Sequence, residues 1–289
     1  MVNKIILGTV QFGINYGINN SSGKISFDNV CKILNYSNLN GISQLDTAAV
    51  YGDSEKVIGE FLKKNIDKEF KIISKLYLKN QSLEDSLLSS IDKLNIKMLE
   101  TILFHSYEDY QKNKKELINF NNKFKGKLFK NIGVSAYTNK EVENIINDEC
   151  VDIVQMPFNI LDNASKREVT YKKIKEAGKI LHTRSVFLQG LIFKKAIELQ
   201  GEFKTLNNAF LKIEKLCNDY EITINELALS YALSKEYVDG VLIGVDSLDH
   251  LKKNISISEF KISEDLIKEI DNIVIQDDSI LNPTNWIKN

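Results

Sequence analysis

The chain has 289 residues, 43% hydrophobic and 27% charged, the balance of an ordinary globular protein and enough length for one α/β barrel of about 250 residues. Lys+Arg 38 against Asp+Glu 39 leave a net charge of −1, which gives no reason to expect a nucleic-acid partner. No apolar run approaches the roughly 20 residues that a bilayer span needs, so no membrane association is expected.

Short β-rich runs alternate with amphipathic segments along almost the whole sequence. Residues 4–7 (K-I-I-L) read as a strand that stops at Gly8, and G-T-V-Q-F-G-I-N-Y-G continues as a glycine-punctuated loop. Asp28 is a candidate cap for a helix over 29–40, with Val30, Ile33, Leu34 and Leu39 at helical spacing. Residues 42–46 give the next strand and 53–64 the next helix, whose buried stripe is Val57, Ile58, Phe61 and Leu62. After a strand over 70–75, Ser82 opens S-L-E-D, a capping-box pattern, ahead of a helix to about 94. Residues 100–105 are strand-like, and 110–123 form a polar helical segment.

The second half repeats the pattern. Residues 129–135 (F-K-N-I-G-V-S) are a strand, 140–147 a helix, 151–155 a strand and 165–177 a helix that Gly178 closes. A strand over 179–185 leads into a longer segment to about 205. Two helices, 207–220 and 225–234, precede the last strand, 238–243; helices from 248 and over 263–275 follow. The tail, 276–289, is polar apart from Ile280, Leu281, Trp286 and Ile287.

Eight strands therefore end near Leu7, Asp46, Lys75, His105, Ser135, Gln155, Ser185 and Ile243, with no linker between them. The predicted fold is α/β: a closed (β/α)8 TIM barrel spanning 1–289 as one domain, with extra helices near the C-terminus and 276–289 as a tail. A doubly wound open sheet is the rival, but its G-x-G-x-x-G turn is missing, since G-T-V-Q-F-G is one glycine short.

In such a barrel, reactive groups gather at the carboxyl ends of the strands. Asp46, Lys75 and His105 end three successive strands, and Tyr51 lies just beyond the first of these. A phenol with an ordinary pKa of about 10 is a poor proton donor at neutral pH. A neighbouring ammonium favours the phenolate and lowers that pKa, while Asp46 neutralises and positions the lysine. His105 is suited to orient a substrate oxygen. Together the four form an acid that protonates a carbonyl oxygen as its carbon accepts a hydride.

The motif D-T-A-x-x-Y-G-x-S-E-x-x-I-G, present from Asp46 to Gly59, resembles that of the aldo-keto reductase superfamily, and the resemblance covers nearly the whole chain. It implies Asp46, Tyr51, Lys75 and His105 as the catalytic tetrad and a nicotinamide cofactor, NADPH with NADH as the alternative. G-V-S resembles the strand whose serine, here Ser135, helps hold the nicotinamide carboxamide; the family's following asparagine is Ala136 in this chain. Gln155, with Asn159 behind it, resembles the Q-x-x-x-N segment that binds the same carboxamide. R-S-V-F-L-Q-G-L resembles a segment placing Ser185, Leu188 and Gly190 near the pyrophosphate. Arg184 stands where the family has an aromatic on the nicotinamide; three roles are open to it, stacking on that ring, reaching a substrate anion, or a plain salt bridge. Gly244, Asp246, Ser247, His250 and Asn254 resemble the grip on the adenosine end. An acidic Asp246 there weakens the expectation of NADPH, whose 2′-phosphate it would repel.

The resemblance implies an enzyme, a reductase of an aldehyde or ketone. The opening L-G-T-V-Q-F-G-x-x-Y-G resembles relatives linked to surface-sugar biosynthesis, which suggests a keto-sugar or sugar-nucleotide and carbohydrate metabolism. A cofactor-binding regulatory subunit, as in the potassium-channel β subunits, is the alternative, against which the intact tetrad stands. A metal-dependent hydrolase using Asp46, His105 and His182 is disfavoured, because Leu7-Gly8-Thr9 replaces the expected His-x-His; no metal is expected. Cys31, Cys150 and Cys217 make no C-x-x-C pair, and M-V-N-K-I-I-L-G-T lacks the features of a signal peptide, so the expected location is cytoplasmic.

Overall fold

Eight parallel strands close on themselves in sequence order. They are β1 (Ile5–Gly8), β2 (Gln44–Asp46), β3 (Lys71–Leu76), β4 (Leu99–Phe104), β5 (Phe129–Ser135), β6 (Ile153–Pro157), β7 (Ile180–Arg184) and β8 (Gly240–Gly244). β1 pairs with both β2 and β8, which seals the barrel. The computed structural model describes residues 1–20 and 23–286; Ile287 of the expected tail lies outside the described residues.

The strands are apolar on both faces, as a parallel barrel requires. Ile6, Ile73, Leu103, Ile153 and Leu242 come from five different strands yet pack on one another, so they fill the barrel's interior. Gly133 makes room for them: a Cβ there would lie 2.6 Å from Leu103 Cδ2 and 2.3 Å from the Ile153 carbonyl oxygen. Residues one position away, such as Leu45, Ile72, Ile102 and Val154, point outward into a second, larger core beneath the helices.

That outer layer consists mainly of Phe27–Leu39, Ser54–Lys64, Leu83–Leu94, Leu117–Phe124, Asn139–Ile145, Ala164–Glu176, Ile224–Ser234 and Leu248–Ile257. The additional helices Asn207–Asp219 and Glu264–Asp271 lie near the C-terminus, as expected. Several boundaries differ from the sequence reading. The first long helix begins two residues early, with Ser26 at its N-cap, so Asp28 sits in the first turn and favours the helix dipole instead of capping it. The polar segment after β4 breaks into Tyr107–Asn113 and Leu117–Phe124, because the intervening Lys114–Glu116 turn buries no side chain. The last helix stops at Asp271, where Asn163 Nδ2 donates to the carbonyls of Ile270 and Ile273, 2.8 Å each. The loop after β1 contains a helical turn, Val10–Gly13.

Candidate active site

Alternation along each strand carries the interior face up to the carboxyl-end mouth. Two residues beyond interior Ile73 stands Lys75, beyond Leu103 stands His105, and beyond Ile153 stands Gln155. By the same period Ser135 follows Gly133, Asp46 follows Gln44, and Arg184 follows Ile180 and His182. Ser135 is level with Gln155 in the β5–β6 pairing, and Gln155 with His182 in β6–β7.

Asp46 and Lys75 are each 2% exposed and form a buried ion pair, Lys75 Nζ to Asp46 Oδ1. Lys75 Nζ also donates to the Thr47 carbonyl at 3.0 Å, and Gln155 Nε2 donates to Asp46 Oδ2 at 3.0 Å. The lysine nitrogen lies 5.1 Å from the centre of the Tyr51 ring. His105 stands at right angles to that ring, 6.0 Å between centres. The structure thus brings Asp46, Tyr51, Lys75, His105 and Gln155 together.

The loop that carries Tyr51 is tied down from several sides. Thr9 donates to the Asp46 carbonyl through both its backbone N–H and Oγ1, 3.0 Å each. Ser54 Oγ donates to the Thr9 carbonyl at 2.9 Å and accepts from Thr47 Oγ1 at 3.0 Å. Buried Glu55 accepts from Ser74 Oγ at 2.6 Å, fixing the strand just before Lys75. Gly13 packs so closely beneath this loop that an added Cβ would fall 1.6 Å from the Tyr51 carbonyl oxygen and 2.6 Å from Ser54 N. Both are backbone atoms and cannot swing aside. Gly13→Ala is therefore expected to cost at least the about 1–3 kcal/mol typical of overpacking, read as a lower denaturation midpoint, and to displace the loop that carries Tyr51.

Burial is the largest influence on the Tyr51 phenol and pushes its pKa up; Lys75 and Arg184 pull it down and Asp46 pushes it up. The outcome is a raised pKa, the reverse of the sequence reading, because desolvation of the phenolate outweighs the lysine. Burial also works against the Lys75 charge, but Asp46 and Tyr51 prevail and hold its pKa above the ordinary value. Burial, followed by the charges of Lys75 and Arg184, brings His105 down to about 3. His182, inside the barrel, is lowered to about 4, again chiefly by burial.

These histidines fold neutral, whereas in the unfolded chain they bind a proton below about 6.5. Stability from this source is complete above that pH and is lost as the pH falls toward the folded values near 4 and 3. At pH 5 the loss for His182 is about 2 kcal/mol. Thermal melts are expected to show Tm falling between pH 7 and 5, less steeply in His182→Asn.

Around β7 the backbone is strained. Ser185, Leu188 and Gln189, none of them glycine, have positive φ, at 65°, 45° and 54°, and Gly190 follows at 95°, where glycine is unstrained. Such conformations persist only where surrounding contacts enforce them. Here Asn159 Nδ2 donates to the Ser185 carbonyl at 3.1 Å, Leu188 is fully buried, and Ile18 N and Asn19 Nδ2 donate to the carbonyls of Gln189 and Gly190 at 3.0 and 2.7 Å. Arg184 stacks on Tyr137, Cζ 4.1 Å from the ring centre, and donates to the Ala136 carbonyl and Ser185 Oγ at 3.3 Å. It has no carboxylate partner among the described residues, so the plain salt-bridge role falls away.

The remaining candidates gather where β8 meets its helix. Ser247 caps Leu248–Ile257, its Oγ accepting from His250 N at 3.1 Å. Asp246 Oδ2 lies 3.8 Å from His250 Nδ1, and Asn254 is buried. Gly244 faces Gln11, whose Nε2 would lie 2.9 Å from a Cβ added there. Three further side chains line the mouth without a role assigned from sequence: Gln11 against Gly244, Tyr137 against Arg184, and Tyr16 within the field of Tyr51 and Arg184. Tyr16 and Gln11 lie inside the quoted opening loop and Tyr137 follows Ala136, but only the closed barrel brings them to the mouth.

The model of the Aldo/keto reductase family matches residues 4–275. No curated protein matches the chain in sequence. Among solved structures, the aldo-keto reductase AKR11C1 from Bacillus halodurans, in its holo form, is 19% identical, with a TM-score of 0.71 over 93% of this chain and 91% of that one. A thermostable aldo-keto reductase, Tm1743, in complex with the inhibitor epalrestat, is 22% identical, with a TM-score of 0.67 over 93% and 94%. At these identities the likeness is one of fold.

Proposed function

The chain belongs to the aldo/keto reductase family of carbonyl-reducing oxidoreductases, and on that premise we propose that it reduces an aldehyde or ketone with hydride from NADPH or NADH, Tyr51 donating the proton. The observation that carries this reading is the buried Lys75–Asp46 pair beneath Tyr51, with His105 perpendicular to the phenol.

The chain's unsatisfied polar atoms fit a nicotinamide nucleotide. Gln155 Oε1 is a buried acceptor without a donor at the mouth, and Gln11 Oε1 and Asp246 Oδ1 are others at the β8 rim. Buried acceptors without donors are costly, and a carboxamide NH₂ and ribose hydroxyls are the groups that would satisfy them. Ser135 and Gln155 would hold the nicotinamide end, Ser185, Leu188 and Gly190 the pyrophosphate, and Gly244, Asp246, Ser247, His250 and Asn254 the adenosine. When bound, the reduced nicotinamide supplies the hydride.

Everything else is done by side chains. His105, neutral because burial opposes its charge, offers a hydrogen bond that aligns the carbonyl oxygen without competing as an acid. The raised pKa of Tyr51 keeps its proton stored until negative charge develops on that oxygen. As the proton leaves, the phenolate forms beside Lys75, whose charge stabilises it in a water-poor setting. Asp46 holds Lys75 at that point, and Gln155 holds Asp46.

The opening loop supports a sugar carbonyl as substrate, and the three free thiols, Cys31, Cys150 and Cys217, support a reducing compartment such as the cytoplasm. A fluorescence titration with each nucleotide tests the reading at its base: saturable binding of NADPH or NADH is expected, and binding of neither would sink it.

A further inference from the structure

The chain has two arginines, and they are treated oppositely. Arg167 is buried and forked onto Asp162, Nε to Oδ1 and Nη2 to Oδ2, both at 2.7 Å. Among the described residues, Arg184 meets neutral groups alone: the Tyr137 ring, the Ala136 carbonyl and Ser185 Oγ. A guanidinium has five N–H donors. Two of those on Arg184 make bonds of 3.3 Å, long for N–H···O, and the rest, including Nε–H, stay open.

Among the described residues, no carboxylate pairs with this charge. Lys75 is balanced by Asp46. Tyr16 and Tyr51 are held protonated by burial and His105 is held neutral, and all three lie within the field of Arg184. Among the described residues, the site thus presents one unpaired, partly buried cation, in the same barrel mouth as the residues that would handle a carbonyl oxygen. A cation in such a setting is stabilised by an anion that returns what desolvation removes, and the planar fork of arginine matches carboxylates and phosphates bidentately.

We propose that the substrate is an aldehyde or ketone that also bears a carboxylate or a phosphate, and that Arg184 holds this anion while Tyr51 and His105 engage the carbonyl. This rests on the reductase reading. It differs from a role on the cofactor in what it predicts: selectivity among substrates changes, and nucleotide affinity does not.

The test measures binding to the nucleotide-loaded protein by calorimetry, with matched probes. 4-Carboxybenzaldehyde is compared with its neutral ester methyl 4-formylbenzoate, and glyceraldehyde 3-phosphate with glyceraldehyde. Wild type is expected to bind the anionic member of at least one pair about tenfold or more tightly than the neutral one, the strength of a charge-assisted pair, and the favoured pair tells carboxylate from phosphate. In Arg184→Gln that ratio falls to about one, and in Arg184→Lys it lies between. Equal affinities in wild type, no binding of either anionic probe, or a tenfold loss of nucleotide affinity in Arg184→Gln at an unchanged ratio would overturn the proposal. Turnover of any probe with nucleotide checks the reductase reading separately, so the two ideas fail independently.

Discussion

Replacing Tyr51 by phenylalanine is expected to lower kcat by about 10²–10⁴-fold, the usual contribution of a positioned general acid. The substitution removes one oxygen and leaves the ring, so its perpendicular packing on His105 and its place over Lys75 persist. Nucleotide affinity, measured by titration, is expected to stay near wild type, since the proposed nucleotide contacts lie on other residues. Turnover unchanged by the substitution would remove Tyr51 from the chemistry. A loss of nucleotide binding would instead make the phenol a binding group.

Lys75→Met is expected to destabilise the protein by about 3–5 kcal/mol, because it leaves Asp46 buried with Gln155 as its remaining side-chain partner. Asp46→Leu, which strands the ammonium instead, is expected to cost a similar amount. The double substitution is the informative one. Removing both charges together avoids an unpaired buried ion, and such replacements are often neutral or stabilising. Denaturant unfolding should therefore show two weak single variants and a double variant near wild-type stability, with activity lost in all three. Single variants costing under about 1 kcal/mol would mean that the pair is not desolvated as its burial indicates. A double variant near wild-type stability would leave the proposed stabilisation of the Tyr51 phenolate, and not stability, as what the pair contributes.

Much of this was legible in the sequence because a barrel converts strand ends into neighbours. Asp46, Lys75 and His105 could be placed from the apolar runs before them, and the strand ends expected near Leu7, Ser135, Gln155, Ser185 and Ile243 fall within two residues of the observed ones. The sign of the Tyr51 shift was not legible, since it depends on how far the folded barrel desolvates the phenol, and burial outweighs the lysine there. The contacts of Arg184 were equally hidden. Whether it meets an acid or a ring is decided by Tyr137, from the loop after β5, two strands round the barrel. The positive φ angles at Ser185 and Leu188 also escape a local reading, because neither residue is a glycine and the strain is imposed by distant partners such as Asn159 and Ile18. Helix ends moved for comparable reasons, as where Asn163 donates to the carbonyl of Ile270 in the last turn of Glu264–Asp271 and to that of Ile273 just beyond it.

The central claim is hydride delivery to a carbonyl carbon with protonation by Tyr51, and isotope transfer tests it most directly. Wild type and Tyr51→Phe are given nucleotide deuterated at the transferable C4 position together with an aldehyde probe, and the alcohol formed is read by NMR. Deuterium on the carbinol carbon, formed about 10²-fold or more slowly by the phenylalanine variant, is the predicted result. An alcohol free of deuterium, or transfer undiminished by the loss of the phenol, would contradict it.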